Sequence, residues 1–455
     1  MISRVAVWLA ICSALALGAA SQRIAWADVA PLRAHLEMHG IRTADAFAAY
    51  VDRVARENAT RVREGDLDHL VFYLLQSTRF TTRRPVEPAL SAREFVERLD
   101  TRARAEFLEH GRGARAEVPA LVRERASDLV KALDASGGDP RLEYFRPLAR
   151  QLPAQHDRHA ALLREYIRVM RFVYLKEFVA SRGTEQVAGL YRSRGLATDT
   201  AVEAGYLVYL GLGAVSALEP GRRIRRVLVI GPGLDLAPRT GLREETPPES
   251  YQPWTVLDAL LALRLASLDD LEIVAADINP RVVSHLQRAR TNTPVLWLET
   301  EIETDERVTL TDEYREYFAA LGEALGRTDA KATLTEPARA LRKAVRVSER
   351  AAATLRAESL DIVTERIPAA AFDLVIATNI FPYFDDTQLA LALSNIASML
   401  APGGVLLHNE PRPVIGDLSN ALGVPFERSR HATLAKVRGA DAPLFDSVWL
   451  HRKKK

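Results

Sequence analysis

Two glycines and one acidic residue end short apolar runs in the second half of the chain. The run RVLVI at residues 226–230 stops at Gly231 and Gly233, and LEIVAA at residues 271–276 stops at Asp277. Glycine lacks a Cβ, so its backbone can lie close to a ligand, and a carboxylate can accept hydrogen bonds from both hydroxyls of a ribose. A Gly-x-Gly turn alone is weak evidence, since many buried turns use glycine. With the acid it predicts a site for a nucleoside-type ligand.

Such a site needs a parallel sheet to bring these residues together, and the surrounding sequence predicts one. Apolar, β-rich runs alternate with segments of helical period, which is typical of a parallel sheet with helices on both faces. Ligands of these open sheets bind outside the carboxyl ends of the strands. Further strands are expected at residues 372–377 and 405–408, and helices at 254–265, 281–290 and 387–400.

The end of the chain predicts a different pairing of strands. Residues 431–437 and 447–452 are strand-like and flank a Gly-Ala-Asp turn, which favours an antiparallel closing hairpin. The predicted fold class is therefore α/β, a Rossmann-like, mostly parallel, doubly wound sheet with a C-terminal antiparallel hairpin.

The region before the sheet predicts a separate, all-helical domain. In residues 28–200 apolar side chains recur at intervals of three and four, and prolines and glycines separate the segments. Residues 299–358 are rich in Glu, Arg and Ala, which predicts a helical insertion that can form a lid. The α/β domain is expected to span residues 201–455.

The first 27 residues have the features of a secretory signal peptide. Arg4 precedes an apolar run at residues 5–20, and Ala25-Trp26-Ala27 offers small residues at a cleavage site. We expect cleavage after Ala27 and export to the periplasm or the medium. The alternative is an uncleaved membrane anchor at residues 5–20, although this run is shorter than the ~20 residues of a membrane-spanning helix.

Composition excludes several classes of protein. The 455 residues carry 61 Lys+Arg against 59 Asp+Glu, a net charge of +2, which argues against a dedicated nucleic-acid binder. A 48% hydrophobic content can fill a large core. Cys12 is the only cysteine, so the chain has neither a disulfide framework nor a cysteine-based zinc site.

Two histidine pairs have spacings that place both imidazoles on one helix face. His35 and His39 stand four apart, and His156 and His159 three apart. The metalloprotease pattern with Glu directly after the first His is absent, and no third ligand is evident. We expect exposed or capping histidines and no metal site.

Five segments, in order, resemble the class I S-adenosylmethionine-dependent methyltransferase family. They are VLVIGPGLD (227–235), VAADINP (274–280), DIVTERIP (361–368), FDLVIATNIFPYFDD (372–386) and LAPGGVLL (400–407). The resemblance covers about residues 222–455, and the helical region before it has no recognised counterpart. It implies a Rossmann-like fold and S-adenosylmethionine as cofactor.

The resemblance also implies roles for particular residues. The glycine-rich turn, Gly231 and Gly233 with Pro232 between them, would face the methionine part of the cofactor. The acid after the second strand, Asp277, would bind the ribose, with Ile278 beside it. The acid before the fourth strand lies near the adenine, which implies Asp361 together with Ile362.

Further residues are expected at the methyl-accepting end. The family's fourth strand faces the substrate, which points to Asn379 for orienting an amine, amide or carboxylate. Tyr383 can contact the substrate or the methyl group, or simply pack against the next helix. Asp235 stands where the family has a small residue. It can contact the amino-acid part of the cofactor, where Val229 replaces the family's usual acid, or fill the pocket entrance.

The function expected from these residues is methyl transfer to an unidentified small molecule or protein. A methyl sulfonium is intrinsically electrophilic, so the protein mainly aligns a nucleophile and excludes water. Export conflicts with this function, because the cofactor is made in the cytoplasm. Two alternatives therefore stay open: an exported, non-catalytic binding protein on the same fold, and an oxidoreductase using a nicotinamide dinucleotide, which Gly-x-Gly and Asp277 suit as well.

Overall fold

A mixed β-sheet forms the centre of the C-terminal half of the protein. The computed structural model describes residues 21–111, 117–152, 158–180, 185–236, 246–329, 339–368, 371–440 and 443–455. Its strands are β1 Gln22–Arg23, β2 Arg226–Ile230, β3 Glu272–Asp277, β4 Val295–Glu299, β5 Val308–Leu310, β6 Gly326–Thr328, β7 Arg342–Val347, β8 Leu355–Ser359, β9 Glu365–Arg366, β10 Phe372–Ala377, β11 Leu400–His408, β12 Phe426–Val437 and β13 Leu444–Arg452.

The main sheet has the order β5-β12-β13-β11-β10-β2-β3-β8. Strands β8, β3, β2, β10 and β11 pair in parallel. The last two strands form an antiparallel hairpin whose β13 runs antiparallel to β11. The prediction of an α/β fold with a mixed sheet is confirmed.

Helices cover both faces of this sheet because alternate side chains of each central strand point to opposite faces. In β2, Val227 and Val229 join one apolar cluster, whereas Leu228 and Ile230 join the other. The helices are α1 Arg33–Met38, α2 Ala44–Gln76, α3 Pro88–Glu97, α4 Thr101–His110, α5 Ala120–Asp134, α6 Pro140–Arg150, α7 Arg158–Tyr174, α8 Glu185–Ser193, α9 Val202–Leu218, α10 Gln252–Ala262, α11 Pro280–Thr291, α12 Asp312–Ala320, α13 Glu349–Ala353, α14 Asp386–Met399 and α15 Val414–Ala421.

Helix α2 connects the two faces of the sheet. Its first half places Phe47, Val51 and Val54 in the cluster that contains α14, and its second half places Leu67 and Leu70 in the opposite cluster. A helix of 33 residues is about 50 Å long, which is enough to pass from one face to the other. The described part of residues 28–200 is helical, but its apolar side chains share both clusters with the sheet, and the domain boundary at residue 200 stays a prediction.

The prediction of a helical insertion at residues 299–358 is wrong in its secondary structure. Besides α12 and α13, this segment contains β5, β6 and β7, and β8 is the edge strand of the main sheet. In β7, Val345 and Val347 are buried while Arg346 is exposed, a period of two that belongs to a strand. Glu301 is the one described residue of the segment that reaches the cavity described below, so the described part of the insertion does not form the expected lid.

The described residues before Asp28 pack onto the rest of the protein. Strand β1 pairs antiparallel with β9, Ile24 is buried, and Trp26 contacts the ring of Phe47 at a centroid distance of 5.5 Å. The apolar run at residues 5–20 lies outside the described residues. Within the part of the chain that the structure describes, no helix is both long and apolar enough to cross a membrane.

Candidate functional site

A cavity of about 480 Å³ lies at the carboxyl ends of the parallel strands. This is the edge at which open α/β sheets bind their ligands. All of the predicted site residues line the cavity except Pro232 and Asp235. Those that line it are Gly231, Gly233, Asp277, Ile278, Asp361, Ile362, Asn379 and Tyr383.

Asp277 connects the end of β3 to the glycine turn after β2. Its Oδ2 accepts a hydrogen bond from the backbone N–H of Gly233 at 3.3 Å, and its Oδ1 accepts one from Asn279 N–H at 2.8 Å. Burial raises the pKa of Asp277 to about 6, against the two backbone hydrogen bonds, which lower it. Each carboxylate oxygen retains a lone pair, so both can still accept a hydroxyl.

The glycine turn is closely packed by the protein itself. Gly231 and Gly233 have φ angles of +63° and +70°, a region that glycine adopts without strain. A Cβ on Gly231 would lie 2.5 Å from Cγ2 of Ile380, and one on Gly233 would lie 2.5 Å from the carbonyl oxygen of Thr198. Both glycines therefore serve the contacts of neighbouring segments as well as the cavity wall.

Asp235 lies away from the cavity. Its backbone forms an isolated antiparallel bridge with Glu249, whose carbonyl oxygen accepts from Asp235 N–H at 2.8 Å. The expected contact of Asp235 with a cofactor, or with the pocket entrance, therefore has no support in the described geometry. Pro232, the middle residue of the turn, is buried and does not line the cavity.

Asp361 is held at the cavity by a residue that the sequence did not reveal. The side-chain Nδ2 of Asn58, in the middle of α2, donates to Asp361 Oδ2 at 3.0 Å, and the backbone N–H of Val363 donates to Oδ1 at 3.0 Å. Burial raises the pKa of Asp361. Asn58 is 1% exposed and lines the cavity. Its hydrogen bond spans 303 positions, which no local pattern predicts.

Other polar residues of α2 hold the elements around the cavity. Asp66 accepts from Asn279 Nδ2 at 2.9 Å and from Arg281 Nη1 at 2.6 Å, which fixes the start of α11. Arg61 donates to the carbonyl oxygens of Arg194 at 3.0 Å and Tyr383 at 3.1 Å. The helical region therefore supplies part of the site, beyond what its sequence indicated.

Asn379 follows β10 in a left-handed conformation with φ +61°. Its backbone N–H donates to Asn409 Oδ1 at 2.8 Å, and its own Oδ1 accepts from Asn409 Nδ2 at 2.7 Å. This reciprocal pair orients the Asn379 amide, and its Nδ2 is the group suited to donate to a ligand. Asparagine tolerates the left-handed region better than most residues.

Tyr383 lies at the cavity under the helical region. Its ring meets that of Tyr191, on α8, edge-to-face at 5.7 Å. Burial raises the pKa of Tyr383 to about 12, so the phenol is protonated at neutral pH and can donate a hydrogen bond. The structure thus gives this ring both a packing contact and a place in the cavity wall, the two roles that the sequence left open.

A segment at residues 194–201, which we call the strap, crosses the glycine turn. Leu234 N–H donates to Thr198 O at 2.7 Å, and the Thr198 hydroxyl donates to Leu234 O at 2.8 Å. Thr198 N–H donates to Nε2 of the buried His69 at 3.1 Å. Leu196 N–H donates to Arg61 O at 2.8 Å. The strap also lines the cavity, a contribution that the sequence did not predict.

The described residues contain no group of three His, Cys, Asp or Glu that could hold a metal ion. His35 and His39 lie with ring centroids 4.7 Å apart, and Nε2 of His159 contacts the carbonyl oxygen of Arg123 at 2.9 Å. His156 lies outside the described residues.

No family model and no curated protein matches the sequence. Solved structures that match part of the chain include the N-methyltransferase NodS from Bradyrhizobium japonicum WM9, at 14% identity and a TM-score of 0.27, covering 56% of this chain and 96% of that one. Magnesium protoporphyrin IX methyltransferase from Synechocystis PCC 6803, solved with bound SAM, has 10% identity and a TM-score of 0.28, covering 62% and 94%. The CurJ carbon methyltransferase has 16% identity and a TM-score of 0.29, covering 89% and 94%.

All three are methyltransferases. The residues of the cavity suit a nucleoside cofactor, because one buried and one half-buried carboxylate lie at the carboxyl ends of two neighbouring parallel strands. Asp277 is the last residue of β3, and Asp361 lies just beyond the end of β8.

Proposed function

We propose that the protein transfers a methyl group from S-adenosylmethionine to an acceptor bound in the same cavity. The observation that supports this most is the buried Asp277, which is hydrogen-bonded to the glycine turn and retains an acceptor site on each oxygen. Two neighbouring ribose hydroxyls need such a pair of acceptors. Asp361, which lines the same cavity as Ile278 and Ile362, suits the base of the same nucleoside.

When bound, S-adenosylmethionine would supply a methyl group on a positively charged sulfur, which is electrophilic without acid catalysis. The chain's part is to bind, to orient the acceptor and to exclude water. Asn379 Nδ2 and the protonated hydroxyl of Tyr383 are the hydrogen-bond donors suited to orient the methyl-accepting molecule near the end of β10. The strap and Tyr191, which line the cavity, are placed to limit the access of water to the bound groups.

The acceptor we propose is a small molecule or a protein side chain, with no nucleic-acid partner. The near-neutral charge of the chain supports this choice. We also propose export after removal of an N-terminal signal peptide, with an anchor at residues 5–20 as the alternative. Sequencing the N-terminus of the natural protein tests export, and an intact Met1 would contradict cleavage.

Isothermal titration of the purified chain tests the proposed function. S-adenosylmethionine and S-adenosylhomocysteine should both bind, and Asp277→Ala should weaken each by at least about 100-fold, since two hydrogen bonds to a charged group contribute about 1.5–3 kcal/mol apiece. Melting curves of the variant without ligand control for loss of fold.

The same titration separates the alternative functions. Heat with a nicotinamide dinucleotide but with neither adenosyl ligand would overturn methyl transfer in favour of an oxidoreductase. A folded chain that binds none of these ligands would support an exported, non-catalytic binding protein instead.

A further inference from the structure

Asn58 has a buried acceptor atom that no described residue uses. Its side chain is 1% exposed, its Nδ2 donates to Asp361, and its Oδ1 has no hydrogen-bond partner among the described residues. Buried polar atoms in native proteins almost always have partners, so an unpartnered one needs an explanation. Asn58 lines the cavity, where a ligand can supply the missing donor.

The orientation of this amide follows from the chemistry of Asp361. The oxygens of Asp361 accept hydrogen bonds from Asn58 Nδ2 and from the backbone N–H of Val363. A carboxylate only accepts, so the NH₂ group of Asn58 must face it and the amide oxygen must face away. The Asp361 carboxylate therefore determines which end of the Asn58 amide is the nitrogen and which is the oxygen.

The surroundings of Asn58 suit a flat, mostly apolar ring with a polar edge. Leu360 and Ile362 flank Asp361, and Ile278 follows Asp277 in the wall of the same cavity. Besides these apolar side chains, the cavity wall contains two neighbouring acceptors, Asn58 Oδ1 and the Asp361 carboxylate. Two acceptors side by side match a ligand group with two hydrogens on one atom, such as an aromatic amine.

We infer that Asn58 Oδ1 accepts a hydrogen bond from the 6-amino group of the adenine ring, so that α2 selects 6-amino over 6-oxo purines. This inference rests on the proposed function and adds to it a residue from the helical region. A 6-oxo purine places an acceptor oxygen against Asn58 Oδ1, and two acceptors facing each other leave both unpaired. Asn58 therefore contributes to the choice of base. Its contact with the cofactor requires α2 to be packed against the sheet, because Asp361, which orients the Asn58 amide, follows β8.

The experiment compares S-adenosylhomocysteine with its inosine analogue on the full chain by isothermal titration. The wild type should bind the adenosine compound at least about tenfold more tightly, the effect of one unmatched buried hydrogen bond. Asn58→Leu keeps the side-chain size but removes both the acceptor and the donor to Asp361. It should weaken binding of the adenosine compound and lower the affinity ratio to the smaller preference that the Asp361 carboxylate alone gives.

Asn395 offers a matched control. It is buried at 0% exposure, its Nδ2 donates to the carbonyl oxygen of Ile362 at 2.9 Å, and its Oδ1 is also without a partner among the described residues, but it does not line the cavity. Asn395→Leu should leave the affinity ratio at the wild-type value. An equal change of the ratio in both variants would overturn the role of Asn58.

The outcomes separate this inference from the proposed function. Equal wild-type affinity for the two compounds overturns base selectivity by Asn58 while leaving adenosyl binding intact. Absence of binding to either adenosyl ligand overturns the proposed function and this inference together. If Asn58→Leu does not fold, the wild-type ratio and the smaller Asn58→Ser variant, whose hydroxyl is too short to reach the same place, still decide the question.

Discussion

Asp277 combines a requirement of the fold with one of the site. It joins the glycine turn to the end of β3, yet burial raises its pKa from 3.8 to about 6. Because the folded pKa is the higher one, the folded state binds the extra proton, and its stability falls as the pH rises from about 4 to about 6. The loss reaches about 3 kcal/mol at neutral pH. A ligand whose hydroxyls meet the ionised carboxylate offsets this cost.

Cofactor binding should therefore depend on pH through Asp277. The ionised carboxylate accepts two hydroxyls, whereas the protonated form donates through one oxygen and loses an acceptor. We expect the affinity for S-adenosylhomocysteine to be constant above pH 7 and to fall by up to about tenfold per pH unit below pH 6. Titration calorimetry from pH 5 to pH 8 measures this.

Asp258 provides the control for this pH dependence. Burial raises its pKa to about 6 as well, and its Oδ1 accepts from Ala324 N–H at 3.1 Å, but it does not line the cavity. Asp258→Asn should leave the dependence of S-adenosylhomocysteine affinity on pH unchanged. The Asp277→Asn variant should bind this ligand weakly at every pH. A pH-independent affinity in the wild type would contradict the role assigned to Asp277.

At the scale of elements, the sequence predicted those strands that are short, continuous apolar runs. Residues 226–230 and 372–377 form β2 and β10 with the predicted bounds. Strand β7 was missed because Ala344 and the arginines around it also satisfy a helical pattern, and the choice depends on its pairing with β4 and β6. Pairing partners far along the chain leave no trace in local periodicity.

The site, too, was predicted where it depends on local sequence and missed where it depends on contacts between distant parts of the chain. Gly231, Gly233 and Asp277 lie at strand ends, so the order of strands places them together. Asn58 reaches the cavity because α2 packs against both faces of the sheet. The strap is held there in part by α2 as well, since Leu196 N–H donates to the carbonyl oxygen of Arg61. This position of α2 depends on tertiary packing, and no local sequence motif predicts it.

A substitution at Gly233 tests the position of the strap, because this glycine packs directly against Thr198. A Cβ at this position meets the Thr198 carbonyl oxygen at 2.5 Å, and the residue has φ +70°. Gly233→Ala should therefore lower the free energy of unfolding by the cost of the left-handed backbone, about 1–3 kcal/mol, and further by displacing the strap. Urea denaturation measures the loss.

Gly423 separates the two contributions. Its φ is +72°, and a Cβ there meets nothing within 4 Å, so Gly423→Ala carries the backbone cost alone. The difference between the two variants isolates the contact with the strap. Equal losses would show that the strap can move aside freely.

At the scale of the whole molecule, the helical region and the sheet form one packed unit. The two apolar clusters, one on each face of the sheet, each contain residues from both regions. Residues 22–27 extend this unit, since β1 pairs with β9 and Ile24 is 4% exposed. Cleavage after Ala27 would remove a strand and a buried side chain from the folded protein.

A chain that begins at Ser21 should accordingly be more stable than one that begins at Asp28. Burial of Ile24 alone contributes about 1.5–3 kcal/mol, and the contact between Trp26 and Phe47 adds to it. Denaturant unfolding of both chains measures the difference. Ile24→Ala in the longer chain should reproduce part of the loss, because it keeps β1 but removes the buried side chain.

The comparison also bears on export. If the two chains unfold at the same denaturant concentration, residues 22–27 do not stabilise the fold and cleavage after Ala27 stays compatible with it. If the shorter chain is less stable, a processing enzyme that cut after Ala27 would have to act before β1 pairs with β9, while a cut before Ser21 would leave every packed residue in place. The N-terminal residue of the natural protein then distinguishes the two sites, and only a start at or before Ser21 agrees with the packing of β1.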